Sequence, residues 1–499
     1  MPLEVIRSTA ETEGVCVKPV ITRLHDTQEN TSRLVPIPCG STRETRCPSC
    51  ADKNRRLRMQ QCREGWHLDV EPVTDGQGDG GEEDDLDEES GDTSRRVRST
   101  RRRQDAPDLP RHEVASHTIG PTFGTEDRQY RPSMFGTFTL GSYGRVREDG
   151  TPVDPEAYDY RRAALDAMHF PKLVDRLWQN LRRAIGWKVQ YFAVVEPQRR
   201  LAPHLHAAIR GAIPRQLLKQ VVAGTYHQVW WPTFDQPVYV DELPTWDPDI
   251  GGYIDPHTGE LLPTWEQALD RLDADPDAEP AHVVRFGEQT DLQGILAGTD
   301  QADRRIGYLC KYLTKSITDT YDAEEMTARR AAHVDRLWEQ TRWLPCSPTC
   351  ANWLRYGIQP KNARPELQPG LCRGKAHRRE TVGCGGRRVL VSRQWTGKTL
   401  TDHRADRAAV VRAVLEEAGI HAPDIDRYST KITTDDGRPR YVWTPVHADE
   451  DELPEYRHVL LAALRERQRW RTQYEQAKER AGPMLAELSA TDDPATAAA

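Results

Sequence analysis

The chain has 499 residues, enough for two to four domains, with 29% charged residues and a net charge of −8. It contains no run of about 18 apolar residues, and its opening, MPLEVIRSTAETEG, lacks the charged start and apolar stretch of a signal peptide. A cytoplasmic protein with no membrane association is expected. The acidic average argues against nucleic-acid binding, but it is dominated by one block. Residues 71–92 hold eleven carboxylates and no Lys or Arg, and Arg95, Arg96, Arg98, Arg101, Arg102 and Arg103 follow at once. Outside this block the chain is near neutral to basic.

In chain order, residues 1–70 read as a small Cys-rich module. Cys39, Cys47, Cys50 and Cys62 form its candidate metal set, with Cys16 and His67 near. Cys47-Pro-Ser-Cys50 is a tight turn that presents two thiolates to one ion, and a reducing cytosol makes clustered cysteines point to zinc before disulfides. Arg43, Arg46, Lys53, Arg55, Arg56 and Arg58 surround the turn. Residues 71–115, the acidic and basic runs, have the composition of a disordered linker.

Residues 116–330 alternate strand-like and helix-like segments and carry the chemistry. Lys188 to Val195 (KVQYFAVV) is rich in β-branched and aromatic residues and predicts a strand. Glu196-Pro197-Gln198 and a turn-like stretch lead to His204-Leu205-His206-Ala207-Ala208-Ile209, a second strand. Residues i and i+2 of a strand share a face, so His204 and His206 point one way and Leu205 points into the core. Folding the second strand back brings Glu196 beside the histidines. Two imidazoles and a carboxylate leave open positions on a divalent ion, a set that suits Mg²⁺ or Mn²⁺ when phosphate supplies further ligands.

Residues 227–300, with Trp230, Trp231, Trp246 and Trp265, read as an insertion, and Asp255-Pro256-His257-Thr258-Gly259 as a structural turn. A helix is expected over 301–317. Its apolar stripe is Ile306, Leu309, Cys310, Leu313 and Ile317. Tyr308 and Tyr312, four apart, share the opposite face, flanked by Arg304, Arg305, Lys311 and Lys315. Nearby cations favour a phenolate and make these candidate nucleophiles toward a phosphate, with the arginines and Lys311 as candidate DNA contacts. Lys311 before Tyr312 and Lys315 one turn later favour Tyr312 for the first reaction.

Residues 331–400 carry a second candidate zinc set, Cys346, Cys350, Cys372 and His377, with Cys384 nearby. Residues 401–499 are mainly helical. Thr433 to Gly437 signals a hairpin between KIT and RYVW, which together with the preceding helix reads equally as a winged DNA-binding element or as a small packing domain. No GxxxxGK[ST] pattern is present, so no helicase motor is expected.

These residues also carry a family resemblance. PHLH at 203–206 resembles the His-hydrophobic-His motif of HUH endonucleases. YLCKYLTK at 308–315 resembles the nucleophile helix of their replication initiators, and MFGTFTLGSYGR at 134–145 resembles a central strand of their sheet. EPQRRLAPHLHAAIRG at 196–211, GYLCKYLTKS at 307–316, CANWLRYGIQPKNA at 350–363 and GGRRVLVSRQWTGKTL at 385–400 are similar to RepSA-type initiators of actinomycete plasmids and integrative elements.

The resemblance implies an α+β HUH fold, a five-stranded central antiparallel sheet with flanking helices, to which the zinc modules and helical C-terminal region are added. It implies nicking of an origin strand by a tyrosine, leaving a 5′-phosphotyrosine and a 3′-OH that primes a host polymerase beside a host helicase. Other readings of the same residues are a relaxase or HUH transposase, with the same chemistry on different DNA, and a non-catalytic zinc-containing regulator.

Overall fold

The computed structural model describes residues 2–66, 68–72, 109–120, 122–125, 128–296, 298–311, 313, 327–386, 388–417, 419, 428–446 and 453–481. His67, Tyr312, Lys315, Ile317 and most of the expected linker lie outside them. The chain opens with α1 (Leu3–Thr12), β1 (Val20–Asp26), β2 (Thr31–Ile37), α2 (Pro48–Trp66), β3 (Phe123–Thr125), β4 (Arg128–Tyr130) and β5 (Pro132–Leu140). It continues through α3 (Tyr160–Ile185), β6 (Tyr191–Pro197), β7 (Pro203–Arg210), α4 (Arg215–Gly224), β8 (Tyr226–Val229), β9 (Thr245–Asp247), β10 (Gly252–Ile254), α5 (Trp265–Ala274) and β11 (His282–Leu296). Then come α6 (Asp300–Lys311), α7 (Ala328–Trp343), β12 (Val389–Val391), α8 (Leu400–Glu417), β13 (Tyr441–Pro445) and α9 (Tyr456–Ala481). No helix among the described residues is long and apolar enough to cross a membrane.

These elements form two compact units. The first draws on described residues within 1–63 and 398–499, so it joins segments that the sequence reading assigned to separate modules. Its sheet is antiparallel with order β13-β1-β2. Arg440 donates to both carboxylate oxygens of Asp26, with Nη2 to Oδ2 at 3.0 Å, and holds that carboxyl below its usual range. Beside the sheet, Ile6 and Ala10, one turn apart on α1, bury against Leu460 and Leu464 of α9. The expected turn is present, with Gly437 at φ 78° and a bridge from Thr433 to Pro439. The expected hairpin is present only next to the turn, where the Arg440 N–H donates to the Ile432 carbonyl and the Thr434 N–H to the Arg438 carbonyl. Beyond it, Tyr441–Pro445 pairs with β1, from Thr22 to Asp26.

The second unit lies within 64–397. Its six-stranded sheet has order β12-β6-β7-β5-β11-β8, antiparallel throughout, one strand more than expected. The segment read as an insertion from 227 needs narrower bounds. The 15-residue β11 and all but the first residue of β8 lie inside that range yet belong to the sheet, and β11 pairs with β5 between Phe286 and Leu296. Only the stretch between these strands, with the β9–β10 hairpin and α5, stands apart from the sheet. There Trp231 and Trp265 pack on Trp353 at ring distances of 5.7 and 4.9 Å, and these tryptophans extend the main hydrophobic core.

Period-two alternation gives the sheet two faces. Leu205, Ala207 and Ile209 of β7, with Ala193 and Val195 of β6, bury in one core with α3 residues Phe170, Leu173, Leu177 and Trp178. Helix α3 starts where the Asp159 side chain accepts from the Arg162 N–H, and it stops at Gly186, whose φ of 77° suits glycine. At the far end of β7, Arg210 is 3% exposed and donates to the carbonyls of Gly65 and Trp395 and to the Thr118 hydroxyl, tying three distant segments to one strand. Trp178 is fully buried and stacks on Tyr191 at 3.9 Å. We predict that Trp178→Ala destabilises this unit by about 3–5 kcal/mol, read as a lower urea midpoint by circular dichroism. A change under about 1 kcal/mol would show that the stack is not central to the core.

Candidate metal and nucleophile site

The opposite face of the sheet carries the polar side chains. Antiparallel pairing of β6 with β7 sets Glu196 across from His204 and Val194 across from His206. Glu196 Oε2 then lies 3.4 Å from His204 Nε2 and 3.1 Å from His206 Nε2. The three ligand atoms fall within 4.8 Å of one another, the span a single ion can bridge. On the other flank β5 sets Thr137 across from His206, and its hydroxyl lies 3.0 Å from His206 Nδ1. That contact orients the ring and leaves Nε2 facing Glu196.

Burial by itself would raise the Glu196 carboxyl. Its contacts with His204 and His206 outweigh that and hold it down to about 2. Burial chiefly lowers His206. A carboxylate beside a neutral imidazole is the protonation state that metal binding requires.

Helix α6 packs over this face. Ile306, Leu309 and Cys310 of the stripe read from the sequence are buried, and Ala302 is buried with them. The Tyr308 hydroxyl lies 3.3 Å from His206 Nε2, and its ring meets the His206 imidazole edge-on at 5.1 Å. Arg305 donates to Gln293 and sits over the Phe135 ring at 4.9 Å, beside the same histidine. Arg304 and Lys311 are exposed. The site thus joins two imidazoles, a carboxylate, a phenol and a guanidinium within one patch of sheet and helix.

Two cysteine groups lie apart from it. Cys16, Cys39, Cys47 and Cys50 converge in the first unit, and Cys346, Cys350, Cys372 and His377 in the second. Cys62 does not join the first group. It lies twelve residues beyond Cys50 on α2, roughly 18 Å along the helix at 1.5 Å per residue, and Cys16 takes its place. Cys384 is fully buried elsewhere.

The sequence profile of RepSA, described as the replication initiator protein of pSAM2, matches residues 2–466. The chain belongs to the RepSA replication initiator family. This RepSA-family chain is similar to a replication initiator protein of Streptomyces ambofaciens, with 24% identity over 320 residues, 57% of this chain and 53% of the relative. The match therefore spans about half the length of that relative. No solved structure matches the chain.

Of the site residues read from this RepSA-family sequence, the structure brings together Glu196, His204, His206, Tyr308 and Arg305. Tyr312 and Lys315 lie outside the described residues. Thr137 escaped the sequence reading. It stands in the MFGTFTLG strand, and only the register of β5 against β7 gives its hydroxyl a partner. We predict that Thr137→Val, which keeps the shape and removes that hydroxyl, weakens Mn²⁺ binding about 10- to 100-fold by calorimetry. His206→Ala should remove binding, and unchanged affinity in Thr137→Val would mean the hydroxyl does not orient the ring.

Proposed function

We propose that this chain starts replication of a plasmid or integrative element by nicking one strand of its origin through a tyrosine. The observation that carries this reading is the convergence of Glu196, His204 and His206 under the hydroxyl of Tyr308, and family membership supports DNA as the substrate class. The donor set of two nitrogens and one oxygen fits Mg²⁺ or Mn²⁺ with room left for a phosphate. A divalent ion held there would polarise the scissile phosphate and offset its developing charge.

The chain's own groups do the rest. The Tyr308 oxygen attacks phosphorus in line, forming the Tyr–O–P bond as the P–O3′ bond breaks. The departing 3′ oxygen takes up a proton and becomes the 3′-OH primer. Arg305 lies close enough to favour the phenolate and to meet the phosphate. The phosphotyrosine keeps the energy of the broken bond, so rejoining needs no nucleotide cofactor. Strand separation falls to a host helicase and extension to a host DNA polymerase. The 3.3 Å approach of Tyr308 to His206 favours Tyr308 for the first cut, with Tyr312 making the terminating one. This reverses the order read from the flanking lysines.

A single-stranded oligonucleotide carrying the element's origin, incubated with the full chain and Mn²⁺, tests the reading. A covalent protein–DNA adduct is expected. Tyr308→Phe should lower first-cut adduct formation on the order of 10³-fold or more, with little change in thermal stability. Tyr312→Phe should still form the first adduct and fail at strand transfer. An adduct in the double variant would rule out the tyrosine mechanism. Loss in Tyr312→Phe alone would exchange the two roles. Full activity in His204→Ala would remove the metal assignment, and cleavage of transfer origins or transposon ends in preference would make the chain a relaxase or a transposase.

A further inference from the structure

We propose that the chain binds two structural zinc ions, one in each compact unit: Cys16, Cys39, Cys47 and Cys50 hold the first, and Cys346, Cys350, Cys372 and His377 the second. Neither set shares a residue with the Glu196–His204–His206 site. The spacing of the donors carries the inference. Four sulfurs about 2.3 Å from a tetrahedral zinc stand about 3.8 Å apart, and a sulfur and an imidazole nitrogen about 3.6 Å apart. Cys47 and Cys16 sulfurs are 3.8 Å apart, and Cys346 and Cys372 sulfurs 3.9 Å. Cys350 Sγ lies 3.5 Å from His377 Nε2. Such separations are nearly twice a disulfide bond, and the donors meet four at a time and not in pairs.

The surroundings are built to hold thiolates. The Cys16 sulfur accepts backbone N–H groups of Lys18 and Cys39, Cys39 accepts from Ser41, and Cys372 from Gly374. Three of these four donors lie two residues beyond the sulfur they bind, a tight loop that wraps the chain round a single point. Gly374 shows how close the wrapping is. A Cβ there would stand 3.1 Å from Cys346 Sγ and 3.5 Å from Cys372 Sγ. His377 Nδ1 lies 2.6 Å from the Thr341 carbonyl, so that nitrogen carries the proton and Nε2 is left for the metal. In the first set, Cys47 immediately precedes α2 and Cys50 sits in its first turn, where the helix dipole favours negative charge.

Both sets supply four protein donors and leave no open position, the mark of a structural site. The first ion ties the segments after α1 and β2 to the start of α2. The second ties the stretch after α7 to the loop at 372–377, close to Trp338, whose indole donates to the His377 carbonyl.

The test is metal content of the full-length protein, purified under reducing conditions without added metal. Mass spectrometry should find two zinc ions per chain. X-ray absorption at the zinc edge should give an average shell of about 3.5 sulfurs and 0.5 nitrogens. Cys16→Ser and His377→Ala should each lower the zinc content by one, and Cys62→Ser should leave it at two. The absorption measurement uses the unmodified chain, so it decides the ligand sets even where a variant does not fold. Absence of zinc, iron in its place, an oxygen-rich shell, or loss of one zinc from Cys62→Ser would each overturn the proposal.

Discussion

The register between β6 and β7 is the constraint on which the site depends. A strand's side chains alternate faces, so a slip of one residue would turn His204 and His206 into the core and Leu205 out of it. Burial of Leu205, Ala207 and Ile209 against α3 opposes that slip. The same packing therefore sets the imidazoles on the far face and aligns Glu196 with His204. β5 on the other side of β7 adds Thr137 and carries Phe135, against which Tyr308 and Arg305 rest. An apolar core on one face thus acts as the scaffold for a polar site on the other.

Much of this was legible because short-range rules govern it. The paired strands, the shared face of the histidines and the apolar stripe of α6 follow from periods of two and 3.6 residues acting over a dozen positions. What escaped depends on distant partners. The segment VRFGEQTDLQG of β11 alternates poorly, and the register of this strand against β5 shifts between Phe286 and Thr290. The partner of Tyr441–Pro445 is a strand near the other end of the chain, which no local pattern announces. Cys62 looked as good a ligand as Cys16 until α2 carried it away from Cys50. Thr137 became visible only when a strand pairing supplied its neighbour.

The three donor clusters differ in a way that matches their surroundings. With zinc bound as proposed, the two cysteine-rich sets would be saturated by their own side chains and would cross-link segments that are mostly loops. The carboxylate–histidine set lies on two adjacent strands, β6 and β7, paired by backbone hydrogen bonds, and its three donors would leave coordination positions open on an ion held there. On that proposal rigidity would come from sulfur where the backbone is irregular, and from the sheet where an exchangeable ligand has to enter.

The pairing of β1 with β13 sets an order of events during synthesis. The two strands are separated by about 400 residues, which at a translation rate of about 5–20 residues per second is roughly 20–80 s. Over that interval β1 and β2 stand as an isolated hairpin, which is marginal in water, and one edge of β1 is unpaired. All of the second unit leaves the ribosome in the meantime. The segment made first is the last to complete its fold.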